Sequence, residues 1–186
     1  MRHDSVPVVG FVAPSGMGKT TLVRAVVHIL TVQGLAVGYL KHAHHRFDLD
    51  TPGKDSYEVR AAGASQVLLA SGARWALQVE HPVPTQEPAL QAMLSRFEHA
   101  RLDLIIVEGF KHAAYPKIEV YRSAVAHANQ LRPLYPCDPD IIAVATDAPL
   151  PEPRPPVTLP LNDAGRVAEF VRGRCADARD PGTSVS

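Results

Sequence analysis

The stretch Ala13-Pro14-Ser15-Gly16-Met17-Gly18-Lys19-Thr20 limits what this chain can fold into more than any other part of it. It follows Val6 to Ala13, a nearly continuous apolar run that reads as a strand buried on both faces, the pattern of a central parallel strand. It precedes Leu22, Val23, Val26, Val27, Ile29 and Leu30, which recur at helical spacing until Gly34, placed where a helix C-cap belongs. Strand, small-residue loop and helix together are the setting in which a loop wraps a phosphate with successive backbone N–H groups, while the helix points its positive end at the same anion. Gly16 and Gly18 supply the unusual dihedrals and close approach this requires. The match to the phosphate-loop pattern departs only at Ala13, where glycine is commoner and either small residue fits. Lys19 is expected to bridge the β- and γ-phosphates, and the Thr20 hydroxyl to ligate Mg²⁺. The pattern implies a nucleoside triphosphate, or at least a phosphate-bearing ligand, without naming the base.

A metal in such a site needs a second acidic group at the end of a neighbouring strand. Leu102 to Val107 reads as a buried strand and runs directly into Glu108-Gly109, so Glu108 is the expected ligand and Gly109 permits close backbone approach to a γ-phosphate. Asp103 begins the same strand and falls roughly 17 Å away at about 3.3 Å per residue, which excludes it.

At 186 residues, with 46% apolar and 20% charged positions, the chain suits one soluble domain with a sizeable core. Lys plus Arg equals Asp plus Glu at 19 each, so the basic excess of a nonspecific nucleic-acid binder is missing. Cys137 and Cys175 form no CxxC pair and suggest neither a disulfide scaffold nor a zinc knuckle. No apolar run approaches the roughly 20 residues of a membrane span, and a cytoplasmic location is expected.

The expected organisation is one domain over residues 1–174 and a flexible tail over 175–186. Leu35 to Leu40 reads as a second strand, Lys41 to Lys54 as a long polar loop, and Asp55 with Glu58 as a capping-box-like helix start. Gln66 to Ala70 and Arg74 to Glu80 flank Ser71-Gly72-Ala73 as a hairpin. A helix is expected from about Glu87 to His99, with further strands at Lys117 to Tyr121 and Asp140 to Thr146. Nine of the 17 prolines lie between Pro133 and Pro160, which reads as irregular connection around one strand. Asn162 is the expected N-cap of a last helix ending near Arg172. Val8, Val9, Phe11, Leu22, Val26, Ile105 and Ile106 should be core. The fold class is therefore α/β: a mostly parallel sheet flanked by helices, with an antiparallel hairpin extension.

Because the second strand ends at the ligand edge of the sheet, the loop carrying His42, His44, His45, Asp48 and Asp50 emerges near the nucleotide. Two readings stay open, a polar switch loop and a transition-metal site. Asp50 or Asp55 would contact Mg²⁺ or the attacking water, and Asp55 is equally readable as a helix cap. Lys111, His112 and Lys117 form a small basic set, read either as a solvated face or as a receiver for a pterin phosphate.

The phosphate loop APSGMGKTTL, the block KHAHHRFDLDTPGKDS from Lys41 to Ser56, VEGFK at Val107 to Lys111 and PKIEV at Pro116 to Val120 together resemble the molybdopterin-guanine dinucleotide biosynthesis adaptor protein B (MobB) family. The resemblance runs from about Val8 to Asp147. It implies a small P-loop GTP-binding protein that forms homodimers through extended β-structure and assists MobA, the guanylyltransferase that attaches GMP to molybdopterin. By position it implies phosphate contacts from Ser15, Gly16, Met17, Gly18, Lys19, Thr20 and Thr21, Mg²⁺ contacts from Thr20 and Glu108, and a switch role for the loop ending at Asp55. Catalytic roles fall to Lys19 and Asp50, and dimerisation to the hairpin of residues 66–80, with Trp75 at the contact.

No NKxD motif reads guanine in this chain. Asp147, ending the strand Ala143 to Thr146, is a candidate for that role and is equally readable as a turn aspartate before Pro149. GTP rather than ATP thus rests on the resemblance. Slow GTP hydrolysis is expected, since no suitably placed glutamine or arginine finger is evident. The alternatives are a GTP-dependent metallochaperone using His42, His44 and His45, and a small-molecule kinase using ATP. Molybdopterin itself is a further candidate ligand, its phosphate to be received by Lys111, His112 and Lys117.

Overall fold

The computed structural model describes residues 6–43, 47–81 and 88–177. They group into two compact units, one of the described residues up to His42 and from Leu90 onward, the other of those between Ala43 and Ala89.

The first unit is built on a six-stranded sheet, every pairing of which is parallel. Its strands and α-helices in chain order are β1 (Val8–Val12), α1 (Lys19–Val32), β2 (Val37–Lys41), α3 (Leu90–Leu94), β5 (Leu104–Glu108), β6 (Lys117–Tyr121), α4 (Ser123–Ala128), β7 (Ile141–Thr146), β8 (Thr158–Pro160) and α5 (Ala164–Asp177), with α2 (Asp55–Ala61), β3 (Gln66–Ala70) and β4 (Trp75–Val79) in the other unit. The sheet order is β2-β5-β1-β6-β7-β8, so β1 lies inside it between β5 and β6. That position explains the unbroken apolar run: Val9, Phe11 and Val12 are almost fully buried. Val8, at the strand's start, is only half-buried, whereas the other expected core residues are buried.

β5 shows the three-layer logic most clearly. Leu104 and Ile106 join a core with Leu22, Val23, Val26 and Leu30 of α1 and Val167, Ala168 and Val171 of α5. Ile105 and Val107 point the other way, into a second cluster with Leu90, Leu94, Phe110 and Tyr115. Burial of each such aliphatic side chain is worth about 1.5–3 kcal/mol.

The proline-rich connection is tied down by two charged residues of β6. The buried Glu119 carboxylate accepts hydrogen bonds from the backbone N–H groups of Leu134 and Tyr135 at 2.7 and 2.9 Å. Burial pushes that carboxyl above its ordinary value, and the two backbone bonds offset this only in part. Lys117 is 1% exposed and pairs with Asp138 at 2.8 Å. The basic set read from the sequence is therefore broken: Lys117 is an internal ion-pair partner, neither a solvated nor a phosphate-receiving cation.

Several boundaries differ from expectation. The short strand β8 and the short helix α4 were hidden among prolines and small polar residues. Asp163, not Asn162, caps α5, its Oδ1 accepting the Arg166 N–H at 3.0 Å. α5 continues through Asp177, which places Cys175 in a buried helical position instead of a tail. Glu87, where the third helix was expected to begin, lies outside the described residues, and α3 ends already at Leu94.

The second unit holds α2 (Asp55–Ala61) and an antiparallel hairpin, β3 (Gln66–Ala70) and β4 (Trp75–Val79). Lys54 is the N-cap of α2 and makes no side-chain cap bond, so Asp55 is the first helical residue and the capping box does not form. The pairing Leu68↔Leu77 and Ala70↔Trp75 places Leu68, Trp75, Leu77 and Val79 on one hairpin face. All four are exposed, Trp75 at 58%.

Candidate functional site

The loop between β1 and α1 turns through two left-handed glycines, Gly16 (φ 82°) and Gly18 (φ 84°). These dihedrals are strained for any residue with a Cβ, which is why the sequence needs glycine there. Met17 between them turns its side chain into the core, where its sulfur accepts the Arg122 N–H at 3.4 Å. Ser15 and Gly16 remain exposed, as do Thr20 and Thr21 in the first turn of α1. The loop is thus anchored from below and open above, directly over a helix N-terminus.

Parallel registry brings the acidic partner to this loop. Glu108, the last residue of β5, pairs with Phe11 on one side and with Lys41 on the other. Its carboxylate is almost fully buried. Oε1 accepts hydrogen bonds from Lys19 Nζ at 2.7 Å and from Thr20 Oγ1 at 3.0 Å. Oε2 accepts one from the Tyr39 hydroxyl at 2.7 Å. Lys41 Nζ lies 3.9 Å from Oε1. Burial alone would raise the Glu108 carboxyl, but the hydrogen bonds from Lys19 and Tyr39, the Lys19 charge and the Thr20 hydroxyl together hold it below the usual carboxylate range. Desolvation first, and then the Glu108 carboxylate, push the Tyr39 phenol well above its ordinary value, which keeps it a donor.

The turn after Glu108 is held from both sides. Gly109 (φ 99°) and Phe110 (φ 50°) are consecutive left-handed residues. A Cβ on Gly109 would come within 2.9 Å of the His42 Cβ. The His42 N–H donates to the Glu108 carbonyl at 2.8 Å, and its ring stacks on Phe110 with centroids 4.6 Å apart. The Tyr115 hydroxyl donates to the Gly109 carbonyl at 2.6 Å.

Lys19, Thr20 and Glu108 are therefore one cluster, as read from the sequence. Thr20 Oγ1 and Glu108 Oε1 are the hard oxygen donors that Mg²⁺ takes, so the residues present fit that ion. Asp103 sits at the opposite end of β5 and accepts the Ala36 N–H at 2.9 Å, consistent with its exclusion. Asp147 follows β7 at the ligand edge, but its carboxylate is engaged within the fold: Oδ1 accepts the Ser123 N–H at 2.8 Å, and Oδ2 lies 3.5 Å from Arg122 Nη1. The backbone bond from Ser123 chiefly, with the Arg122 charge, lowers its carboxyl despite partial desolvation. The Arg122 guanidinium also lies beside Gly18, its Nη2 3.5 Å from where a Cβ would stand.

Tyr39, Lys41 and Arg122 are the members that sequence reasoning missed. The first two share a face of β2, because that strand runs to residue 41 and positions 39 and 41 have the same parity, whereas the sequence reading ended the strand at Leu40.

Asp50 and Asp55 belong to the second unit. There Asp48 Oδ1 accepts the Asp50 N–H at 3.2 Å, Asp50 Oδ1 accepts the Thr51 N–H at 2.8 Å, and Asp50 Oδ2 is buried without a hydrogen-bond partner. Asp48 pairs with Arg60 at 2.8 Å. His44 and His45 lie outside the described residues, and among those described no group of three or more His, Cys, Asp or Glu is placed to hold a metal ion. Nor is any described helix long and apolar enough to cross a membrane.

Residues 8–147 match the model of a protein family described as MobB, molybdopterin guanine dinucleotide synthesis protein B. The chain belongs to this family. It is 43% identical over 166 residues to the molybdopterin-guanine dinucleotide biosynthesis adapter protein of Escherichia coli (strain K12), spanning 89% of this chain and 91% of that one. It is 36% identical over 169 residues to the adapter protein of the same name from Haemophilus influenzae, spanning 91% and 89%. The fold matches that of Bacillus subtilis MobB with a TM-score of 0.67 at 24% identity, covering 90% of this chain and 97% of that chain. The MobB homolog of Bacillus stearothermophilus matches with a TM-score of 0.65 at 24% identity, covering 91% and 97%. In this MobB-family chain the matched region contains the phosphate loop, Glu108 and the hairpin, and ends at Asp147.

Proposed function

We propose that this chain is a GTP-binding adapter for molybdopterin-guanine dinucleotide biosynthesis, working in the cytoplasm as a homodimer with a MobA-like guanylyltransferase. The observation that carries the nucleotide part is the convergence of Lys19, Thr20 and Glu108 beneath a loop with two left-handed glycines. The family and its curated relatives, adapters by name, support the pathway.

In this reading the backbone N–H groups of the loop cradle the phosphates, Lys19 leaves Glu108 for the β- and γ-phosphates, and Thr20 and Glu108 hold Mg²⁺. Bound there, Mg²⁺ would neutralise charge on the phosphate oxygens. Hydrolysis is slow, and Asp147 reads guanine once Arg122 releases its carboxylate. The exposed apolar face of Leu68, Trp75, Leu77 and Val79 supports a hairpin-mediated dimer, since an isolated two-stranded hairpin is marginal in water and needs cover. Molybdopterin itself is a further proposed ligand.

Reconstitution tests the role. A MobA-like guanylyltransferase supplied with GTP and molybdopterin should form more dinucleotide when this chain is added, and Lys19→Ala should remove the stimulation. Equal yield with and without the wild-type chain would contradict it.

A further inference from the structure

We propose that Lys41 is a second cation of the nucleotide site, one that engages the terminal phosphate and makes the site prefer a nucleoside triphosphate over a diphosphate. This deepens, and rests on, the nucleotide-binding role proposed above.

Lys41 is the last residue of β2 and stands in parallel register beside Glu108, one strand spacing away. Its backbone is fixed there by the sheet and by the following His42 N–H, which donates to the Glu108 carbonyl at 2.8 Å. Its ammonium group lies 3.9 Å from Glu108 Oε1, the oxygen that already accepts Lys19 at 2.7 Å and Thr20 at 3.0 Å. The other carboxylate oxygen is taken by Tyr39. One negative charge thus serves two ammonium groups, and the nearer, better-buried Lys19 makes the hydrogen bond while Lys41 stays beyond hydrogen-bond length.

Two cations gathered on a single carboxylate oxygen leave a net positive charge at the mouth of a phosphate loop. Such an excess is unfavourable unless an anion completes it, and the loop's purpose is to admit one. Lys41 lies on the solvent side of the cluster, with 52% of its side chain exposed against 19% for Lys19. It is therefore free to swing on its four-carbon stem toward an entering polyphosphate. With Glu108 engaged by a metal ion, both lysines would lose the oxygen they share. Lys19 takes the bridging position, and Lys41, emerging from the strand next to Glu108-Gly109, faces the end of the phosphate chain. A diphosphate offers that second ammonium nothing, so Lys41 acts on triphosphate affinity alone.

Calorimetric titration of the full chain with Mg²⁺·GTP and Mg²⁺·GDP separates this from a structural role. Lys41→Gln should weaken GTP by about tenfold, the usual scale of one charge-assisted contact, while GDP changes by less than about twofold. Lys41→Arg should retain most of the preference. Equal losses for both nucleotides, or no loss for either, would overturn the assignment while leaving the nucleotide site itself standing. If the wild-type chain bound neither nucleotide, the proposed function would fall, and Lys41 with it.

Discussion

The Tyr39 hydroxyl donates to Glu108 Oε2 at 2.7 Å, on the opposite side of the carboxylate from Lys19. Removing that donor leaves a buried acceptor unsatisfied, which costs about 1–3 kcal/mol. Tyr39→Phe should therefore lower stability by that order in chemical denaturation. It should also weaken the Mg²⁺ dependence of nucleotide binding, because Glu108 is then held from one side only.

Glu108 makes stability depend on pH. Its carboxyl is lowered in the folded chain against the opposing pull of burial, so its contribution is complete above the ordinary value of about 4.5 and is lost as pH falls through the lower folded value. Thermal unfolding from pH 7 down to pH 3 should show the stability gap between wild type and Glu108→Gln closing on the acid side. A gap that widened in acid would contradict the direction of the shift.

Asp147 is the N-terminal acceptor of α4 and the candidate reader of guanine, and two substitutions separate these roles. Asp147→Ala should cost about 1 kcal/mol of stability, as loss of a capping acceptor does. Asp147→Asn keeps an acceptor for the Ser123 N–H, so it should unfold close to wild type while losing preference for GTP over ATP in competition titrations. Retained preference would assign Asp147 to α4 alone.

The strand-loop-helix core was legible because its signals are local. A strand buried on both faces is continuously apolar, α1 repeats every three to four residues, and the left-handed turns demand glycine at positions 16 and 18. Glu108 was legible as the end of an apolar run. Lys41 was not, because a charged residue after the run Leu35 to Leu40 reads as the first residue of a loop. Only pairing with β5 shows that the strand includes it. Lys117 misled for the same reason: its partners Asp138 and Asp140 are distant in sequence, so a buried ion pair looked like surface charge. α4 and β8 are too short for periodicity to reveal.

The hairpin face predicts the oligomeric state. Leu77→Lys places a charge at the centre of the exposed apolar face, opposite Leu68. Sedimentation velocity should show a dimer for wild type and a monomer of unchanged fold for the variant. A wild-type monomer at tens of micromolar would remove the dimer from the account.

The central claim is that Lys19, Thr20 and Glu108 form a working nucleotide site, and isothermal titration with GTP and ATP in the presence of Mg²⁺ tests it most directly. GTP should bind in preference to ATP, and Lys19→Ala should lower GTP affinity by at least about tenfold through loss of a charged phosphate contact. Absence of GTP binding to the wild-type chain, or binding that Lys19→Ala leaves untouched, would contradict it.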